Sequence, residues 1–138
     1  MKFSTRTRYG LRFLIRLAAQ PEGELLQLGQ VAHEENISPG YLEQIVRALK
    51  PLGILRAVRG AGGGYALARR PDEISMEDIF LHLEGEISPV ACLTRDQCRR
   101  ADQCVTRSFW RQLDEHIRGF LRSQTLADII AAEKLCPH

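Results

Sequence analysis

Apolar residues near the start of the chain recur at helical spacing. Leu11, Leu14, Ile15 and Ala18 step by 3, 1 and 3, which places them on one face and predicts a helix over 6–19. Arg8, Arg12 and Arg16 recur every four residues and form a basic stripe on the other side. Pro21 and Gly23 end this helix. A second, shorter helix fits 28–35 and is broken at Asn36 and Ile37. Ser38-Pro39 then starts a third. Serine is a good N-cap, and proline at the first helical position gives up an N–H that has no partner there anyway. Over 39–50 the apolar positions Leu42, Ile45, Val46 and Leu49 share one face, and Pro51 and Gly53 stop the helix.

The period then changes. Two short strands, 54–58 and 65–68, flank Arg59-Gly60-Ala61-Gly62-Gly63-Gly64, a turn that tolerates the positive φ angles of a tight hairpin. Ser75-Met76-Glu77-Asp78 sets an acid three residues after a serine, as in a capping box, and predicts a helix over 75–83. Residues 84–106 read as a loop containing Pro89 and three cysteines. A long helix over 107–123 follows, in which Trp110, Leu113, Ile117, Phe120 and Gln124 step by 3, 4, 3 and 4, the spacing of a short coiled-coil seam. A last helical turn or two covers 126–132. Two short helices, a tight turn and a hairpin make a winged helix-turn-helix. The predicted fold is therefore mainly α with a small β-hairpin wing. The reading domain spans 1–83, the cysteine loop 84–106, and the long helix and tail 107–138.

Composition adds a bound and an asymmetry. The 138 residues, 44% hydrophobic, suit one domain plus an extension. No apolar run reaches the roughly 18 residues of a membrane span. The first twenty residues lack the unbroken apolar stretch and cleavage site of a secretory signal. A cytoplasmic protein without membrane partners is expected. The net charge of +2 hides two halves: residues 1–70 carry 11 Lys/Arg against 5 Asp/Glu, and 71–138 carry 8 against 12. A basic half is the footprint of a polyanion-binding surface, with a merely solvated basic face as the plain alternative.

A DNA major groove admits one α-helix, and the third helix is the candidate reader. Its first turns present Ser38, Gly40, Tyr41, Glu43, Gln44 and Arg47. Gln44 can pair with an adenine edge and Glu43 can accept from a cytosine amino group. Arg47 and Lys50 suit phosphates, which set position rather than sequence. Arg59, on a slim hairpin, suits a narrow minor groove. The glycine turn fails as a nucleotide site, because it lacks the Lys-Ser/Thr of a phosphate loop and leads into a strand.

The loop cysteines, Cys92, Cys98 and Cys104, are separated by five residues each time; a fourth, Cys136, lies in the tail. Clustered cysteines in a reducing compartment point to metal or redox chemistry more than to disulfides. The spacing is wider than that of structural zinc and unlike the common ferredoxin runs. Three thiolates on one irregular loop can fold around a cluster edge. A metal-free thiol switch, favoured by Arg95, Arg99 and Arg100 nearby, stays open, as does a loop of inert cysteines. A small redox enzyme is disfavoured, since there is no paired acid–base group in an evident pocket and no Cys-x-x-Cys.

The stretches Ile37-Ser38-Pro39-Gly40-Tyr41-Leu42-Glu43-Gln44 and Val58-Arg59-Gly60-Ala61-Gly62-Gly63-Gly64-Tyr65 closely resemble the Rrf-type transcription regulators, the IscR- and NsrR-like proteins. The three-cysteine loop, Ser108-Phe109-Trp110 and the tail Thr125-Leu126-Ala127-Asp128-Ile129-Ile130 are similar to the same family. The resemblance implies a homodimer joined by the long helix; two reading heads related by a two-fold axis are expected to read double-stranded DNA at a roughly palindromic promoter site. It also implies a 2Fe–2S or 4Fe–4S iron–sulfur cluster on Cys92, Cys98 and Cys104 whose state alters DNA affinity. Glu43, Gln44 and Arg59 match its DNA-reading positions. One departure stands out. IscR-like members carry a histidine three residues after the last cysteine, where this chain has Arg107. Other members draw a ligating side chain from the partner's first helix, yet residues 1–20 here contain no Cys, His, Asp or Glu. His33, His116, Cys136 and His138, a partner's carboxylate or a small molecule remain as fourth ligands.

Overall fold

The computed structural model describes residues 2–93 and 101–135. In chain order they form α1 (Thr5–Ala19), α2 (Leu28–Glu35), α3 (Pro39–Leu49), β1 (Leu55–Val58), β2 (Gly64–Leu67), α4 (Met76–Glu84), α5 (Arg107–Ser123) and α6 (Leu126–Leu135), with single 3-10 turns between some of them. The winged helix-turn-helix is α1 to α4, and the two strands pair antiparallel from Leu55↔Leu67 to Val58↔Gly64.

α1 starts at Ser4, whose Oγ accepts from the Thr7 amide at 3.3 Å. Its buried face is centred on Phe13, Leu14 and Leu17 with Thr7 and Gly10, whereas Leu11, Ile15 and Ala18 are only half-buried. The expected face is therefore off-centre. Every position of 11–18 except Arg12 and Arg16 is apolar, so periodicity marks the polar side and cannot choose the middle of the other. Packing chooses it: α1 contacts α3, α4 and β2 together.

α2 ends at Asn36, which adopts the left-handed conformation at φ 56°; Ile37 N then closes back on the Ala32 carbonyl at 3.0 Å. Asparagine tolerates that region better than other side-chain-bearing residues. Ser38 Oγ accepts from the Tyr41 amide at 3.1 Å and caps α3. Leu42, Ile45, Val46 and Leu49 form the buried side of α3, as the spacing predicts. Each such aliphatic side chain contributes about 1.5–3 kcal/mol on burial.

The wing is anchored near its tip end by Leu26, which exchanges backbone hydrogen bonds with Tyr65, one residue in from the Val58↔Gly64 pair, at 2.8 and 2.9 Å. At its tip, Gly60 takes φ 97°. A Cβ on Gly63 would stand 2.2 Å from the Val58 carbonyl oxygen, so the turn closes only over glycine there.

α4 begins after Ser75, but the expected capping box does not form there: Ser75 Oγ accepts from the Glu77 amide at 3.2 Å, one residue early. The reciprocal arrangement appears at α6 instead. Asp128 Oδ2 accepts from the Thr125 amide at 2.8 Å while Thr125 Oγ1 accepts from the Asp128 amide at 3.3 Å. Of the seam residues on α5, Trp110, Ile117 and Gln124 are half-buried and Leu113 and Phe120 are exposed. The side chain that α5 sends into the core is Leu121. No helix among the described residues is long and apolar enough to cross a membrane.

Candidate nucleic-acid interface and cysteine loop

Opposite the buried stripe of α3, Ser38, Gly40, Glu43, Gln44, Arg47 and Lys50 are exposed on one continuous surface. Glu43, Arg47 and Lys50 line a shallow hollow with Leu28 and Tyr65, between α3 and the wing. Tyr41 departs from the simple picture of an outward reader. It is half-buried, its hydroxyl lies 3.0 Å from Thr5 Oγ1, and its ring meets Tyr9 edge-to-face at a centroid distance of 6.3 Å. Arg12 in turn stands over the Tyr9 ring, 5.6 Å from its centre. Arg59 is exposed at the first position after β1, beside the glycine tip.

The arginine stripe of α1 is not a free basic face. Arg16 donates from Nε to Glu35 Oε1 at 2.9 Å and pairs with Glu34; Arg12 Nη2 lies 2.7 Å from Glu35 Oε2. The hydrogen bond that Arg16 donates to Glu34 raises the Arg16 pKa above its ordinary value against the opposing effect of burial. Gln30 and then Arg16 lower that of Glu34. Arg12 and Arg16 thus clamp α2 to α1 from the side, a role that four-residue spacing alone does not reveal. Arg8 stays exposed.

The cysteine loop leaves α4 at Glu84 and reaches α5 at Arg107. Cys92 and Cys104 are half-buried free thiols near its two ends. Cys98, with Arg95, Arg99 and Arg100, lies outside the described residues, as do Cys136 and His138. The Thr106 hydroxyl, 3.5 Å from Cys104 Sγ, and the Thr106 amide lower the Cys104 pKa below the usual thiol range, and the Arg107 amide and charge add to this. Arg107 buries an Nη1 that finds no hydrogen-bond partner among the described residues. Of the other candidate ligands, His33 is exposed on α2. His116 is exposed on α5 with Nδ1 2.8 Å from the Gln112 carbonyl. Among the described residues no group of three or more His, Cys, Asp or Glu side chains is placed to hold a metal ion.

A family model described as Rrf2, iron-dependent transcriptional regulator, matches residues 3–132. The chain belongs to the Rrf2 family. This Rrf2-family chain is 38% identical to the HTH-type transcriptional regulator CymR of Bacillus subtilis, over 94% of its own length and 89% of the relative's. The structure of B. subtilis CymR, described as the global cysteine regulator, superposes with a TM-score of 0.78 at 36% identity, covering 96% of this chain and 98% of that one. IscR of T. potens gives a TM-score of 0.75 at 32% identity, covering all of this chain and 93% of the other. The Rrf2-family chain is accordingly a DNA-binding transcription regulator of winged-helix type and not an enzyme.

Two features of this Rrf2-family site escape the periodicity of the sequence. One is the anchoring of Tyr41 by Thr5. The other is the carboxylate of Glu84 at the end of α4, which accepts from the Ser4 amide at 2.9 Å, the Ser4 hydroxyl at 2.8 Å and the Thr7 hydroxyl. Burial works against ionisation of Glu84. The Thr7 and Ser4 hydrogen bonds and the Arg6 charge outweigh it and keep the carboxyl below its ordinary value.

Proposed function

We propose that this regulator binds specific duplex DNA as a homodimer and that the cysteine loop sets its affinity by holding an iron–sulfur cluster. Ser38, Tyr41, Glu43, Gln44 and Arg47 serve the major groove, and Arg59 the minor groove. Two heads related by a two-fold axis read a roughly palindromic site. The pairing surface is α5, where Phe109, Leu113 and Phe120 lie on one face and are 60%, 36% and 63% exposed in a single chain.

The observation that carries the cluster reading is the setting of Cys92 and Cys104 as two half-buried free thiols on one loop between α4 and α5, with the Thr106 hydroxyl and amide lowering the Cys104 pKa. Thiolate is the form that binds soft metal centres, so the donor chemistry fits. Cys92, Cys98 and Cys104 would hold the cluster, which when bound supplies a centre sensitive to redox state and to small ligands. The protein's part is mechanical. An ordered loop bears on α5, and the population of head arrangements shifts.

A second reading is favoured by the same thiol. Cys104, half-buried with its pKa lowered by the Thr106 hydroxyl and amide, can sense oxidants without metal, in keeping with similarity to a protein described as a cysteine regulator. Purification without oxygen separates the two. Visible absorbance with stoichiometric iron and sulfide, lost in Cys98→Ala while the fold and dimer remain, supports the cluster. A colourless protein whose DNA affinity follows reversible thiol oxidation supports the switch. Full iron retention in Cys98→Ala refutes the ligand assignment.

A further inference from the structure

The first turn of α1 is stitched to the last turn of α4. The Glu84 carboxylate receives the Ser4 amide and both the Ser4 and Thr7 hydroxyls. Arg6 donates from Nε and Nη2 to the Leu83 carbonyl at 2.9 and 2.6 Å, satisfying an oxygen that the helix end leaves without an intrahelical partner. The same turn of α1 faces the reader on its other side, where Thr5 Oγ1 meets the Tyr41 hydroxyl at 3.0 Å and Tyr9 stacks edge-on against the Tyr41 ring. Tyr41 lies in the first turn of α3 and its amide closes the Ser38 cap.

Glu84 is also where the cysteine loop begins. Gly85, the next residue, takes φ 82°, and two residues later the Ile87 carbonyl accepts from Arg118 of α5 at 2.9 Å. The segment 85–87 is thus pinned by α5 at one end and by the Glu84 latch at the other. A rearrangement of the loop is transmitted to whichever of these two attachments yields.

We infer that Glu84 is a positioning residue that couples the loop to DNA reading: its carboxylate orients the first turn of α1, and that turn orients Tyr41. The inference rests on the proposed control of DNA affinity by the loop.

The test uses the full-length dimer, cluster-bearing and cluster-free, and a duplex selected from a random library by the cluster-bearing wild type. The quantity is the ratio of the two affinities in wild type, Glu84→Gln, Thr5→Val and the double variant. Glu84→Gln keeps the side-chain shape but weakens acceptance from three donors. Thr5→Val removes an exposed hydroxyl and leaves the core alone. The expected result is a ratio moved toward one by roughly threefold or more in each single variant, with iron content unchanged. The double variant moves little further, because both changes cut one route. Amide exchange then rises at 39–42 as well as at 4–8. A variant ratio equal to a wild-type ratio that differs from one overturns the latch and leaves loop control standing. A wild-type ratio of one overturns loop control and the latch with it. Exchange that rises only at 4–8 overturns the step from α1 to Tyr41. Should Glu84→Gln fail to fold, Thr5→Val carries the same comparison.

Discussion

Glu35→Gln should destabilise the helix-turn-helix by about 1.5–3 kcal/mol, the value of a charge-assisted hydrogen bond to a shielded carboxylate. The Glu35 side chain is 5% exposed between α1 and α2, with Arg16 Nε and Nη2 both 2.9 Å from Oε1. Arg12 adds less. It is 59% exposed, and its Nη2, though 2.7 Å from Oε2, lies off the hydrogen-bonding direction, which leaves Oε2 without a hydrogen bond. An exposed ion pair of that kind contributes about 0.2–1 kcal/mol. The loss stays below the 3–5 kcal/mol of a stranded buried charge. After substitution the cations left behind, 32% and 59% exposed, can rehydrate. Urea unfolding at fixed protomer concentration measures the difference, since a dimer's stability depends on concentration. The gap should shrink little in high salt because the carboxylate is shielded. The substitution also unmasks positive charge on α1, so non-specific DNA affinity should rise and its salt dependence steepen. A stability loss under about 0.5 kcal/mol would show that the clamp is ornamental and that apolar packing alone holds α1 on α2.

Arg59→Ala should weaken binding to the selected duplex by about 1–3 kcal/mol without changing iron content, and unchanged affinity in a titration would remove the wing from the interface. Arg47→Gln should flatten the plot of log affinity against log salt, since one phosphate contact releases about one counterion; an unaltered slope would place Arg47 away from the backbone. Glu84, whose carboxyl is held below its ordinary value, contributes stability that is present above its unfolded pKa and is lost as pH falls through the lower folded value. Wild type should therefore lose its advantage over Glu84→Gln only in acid, below the ordinary carboxylate range, and parallel pH–stability curves would refute this. Ile45→Ala, at a fully buried position of α3, should cost about 2–5 kcal/mol in melting or urea experiments, and near-neutrality would mean the core is not packed as described.

The reader helix was legible because Leu42, Ile45, Val46 and Leu49 alternate with charged and polar residues, leaving one solution for its buried side. In α1 the apolar residues are too many to point in one direction, and the choice between Leu11 and Phe13 was made by neighbours distant in sequence. The wing was legible from glycines whose geometry admits no other residue, Gly63 above all. Capping went astray for a local reason. Ser75 and Thr125 both precede an acid by three residues, and the pattern does not say which acid will reach back; Asp128 does. The candidate site divided in the same way. Exposed Glu43, Gln44 and Arg47 follow from helical geometry, while the Thr5–Tyr41 and Ser4–Glu84 contacts join residues 36 and 80 positions apart, beyond any periodic signal.

How a change near the cysteines could move two reading heads depends on what α4 is attached to. At its N-terminal end, Met76 N donates to the Gln124 carbonyl at 3.0 Å and Leu126 N to the Ile74 carbonyl at 2.9 Å, while Arg122 pairs with Glu77. These join the far end of α5 and the start of α6 directly to the head. Two backbone hydrogen bonds at about 1 kcal/mol each exceed thermal energy severalfold, before Leu126, wholly buried, is counted. At its other end, α4 carries Glu84 and the α1 latch. The long helix and the head therefore move as one piece around α4. Under the proposed pairing through α5, a tilt of one α5 against its partner changes the spacing between reading helices, and the Glu84 latch adds to this the setting of Tyr41. On that proposal the loop alters how two α5 helices cross, and the head, fixed at both ends of α4, carries the displacement to the DNA.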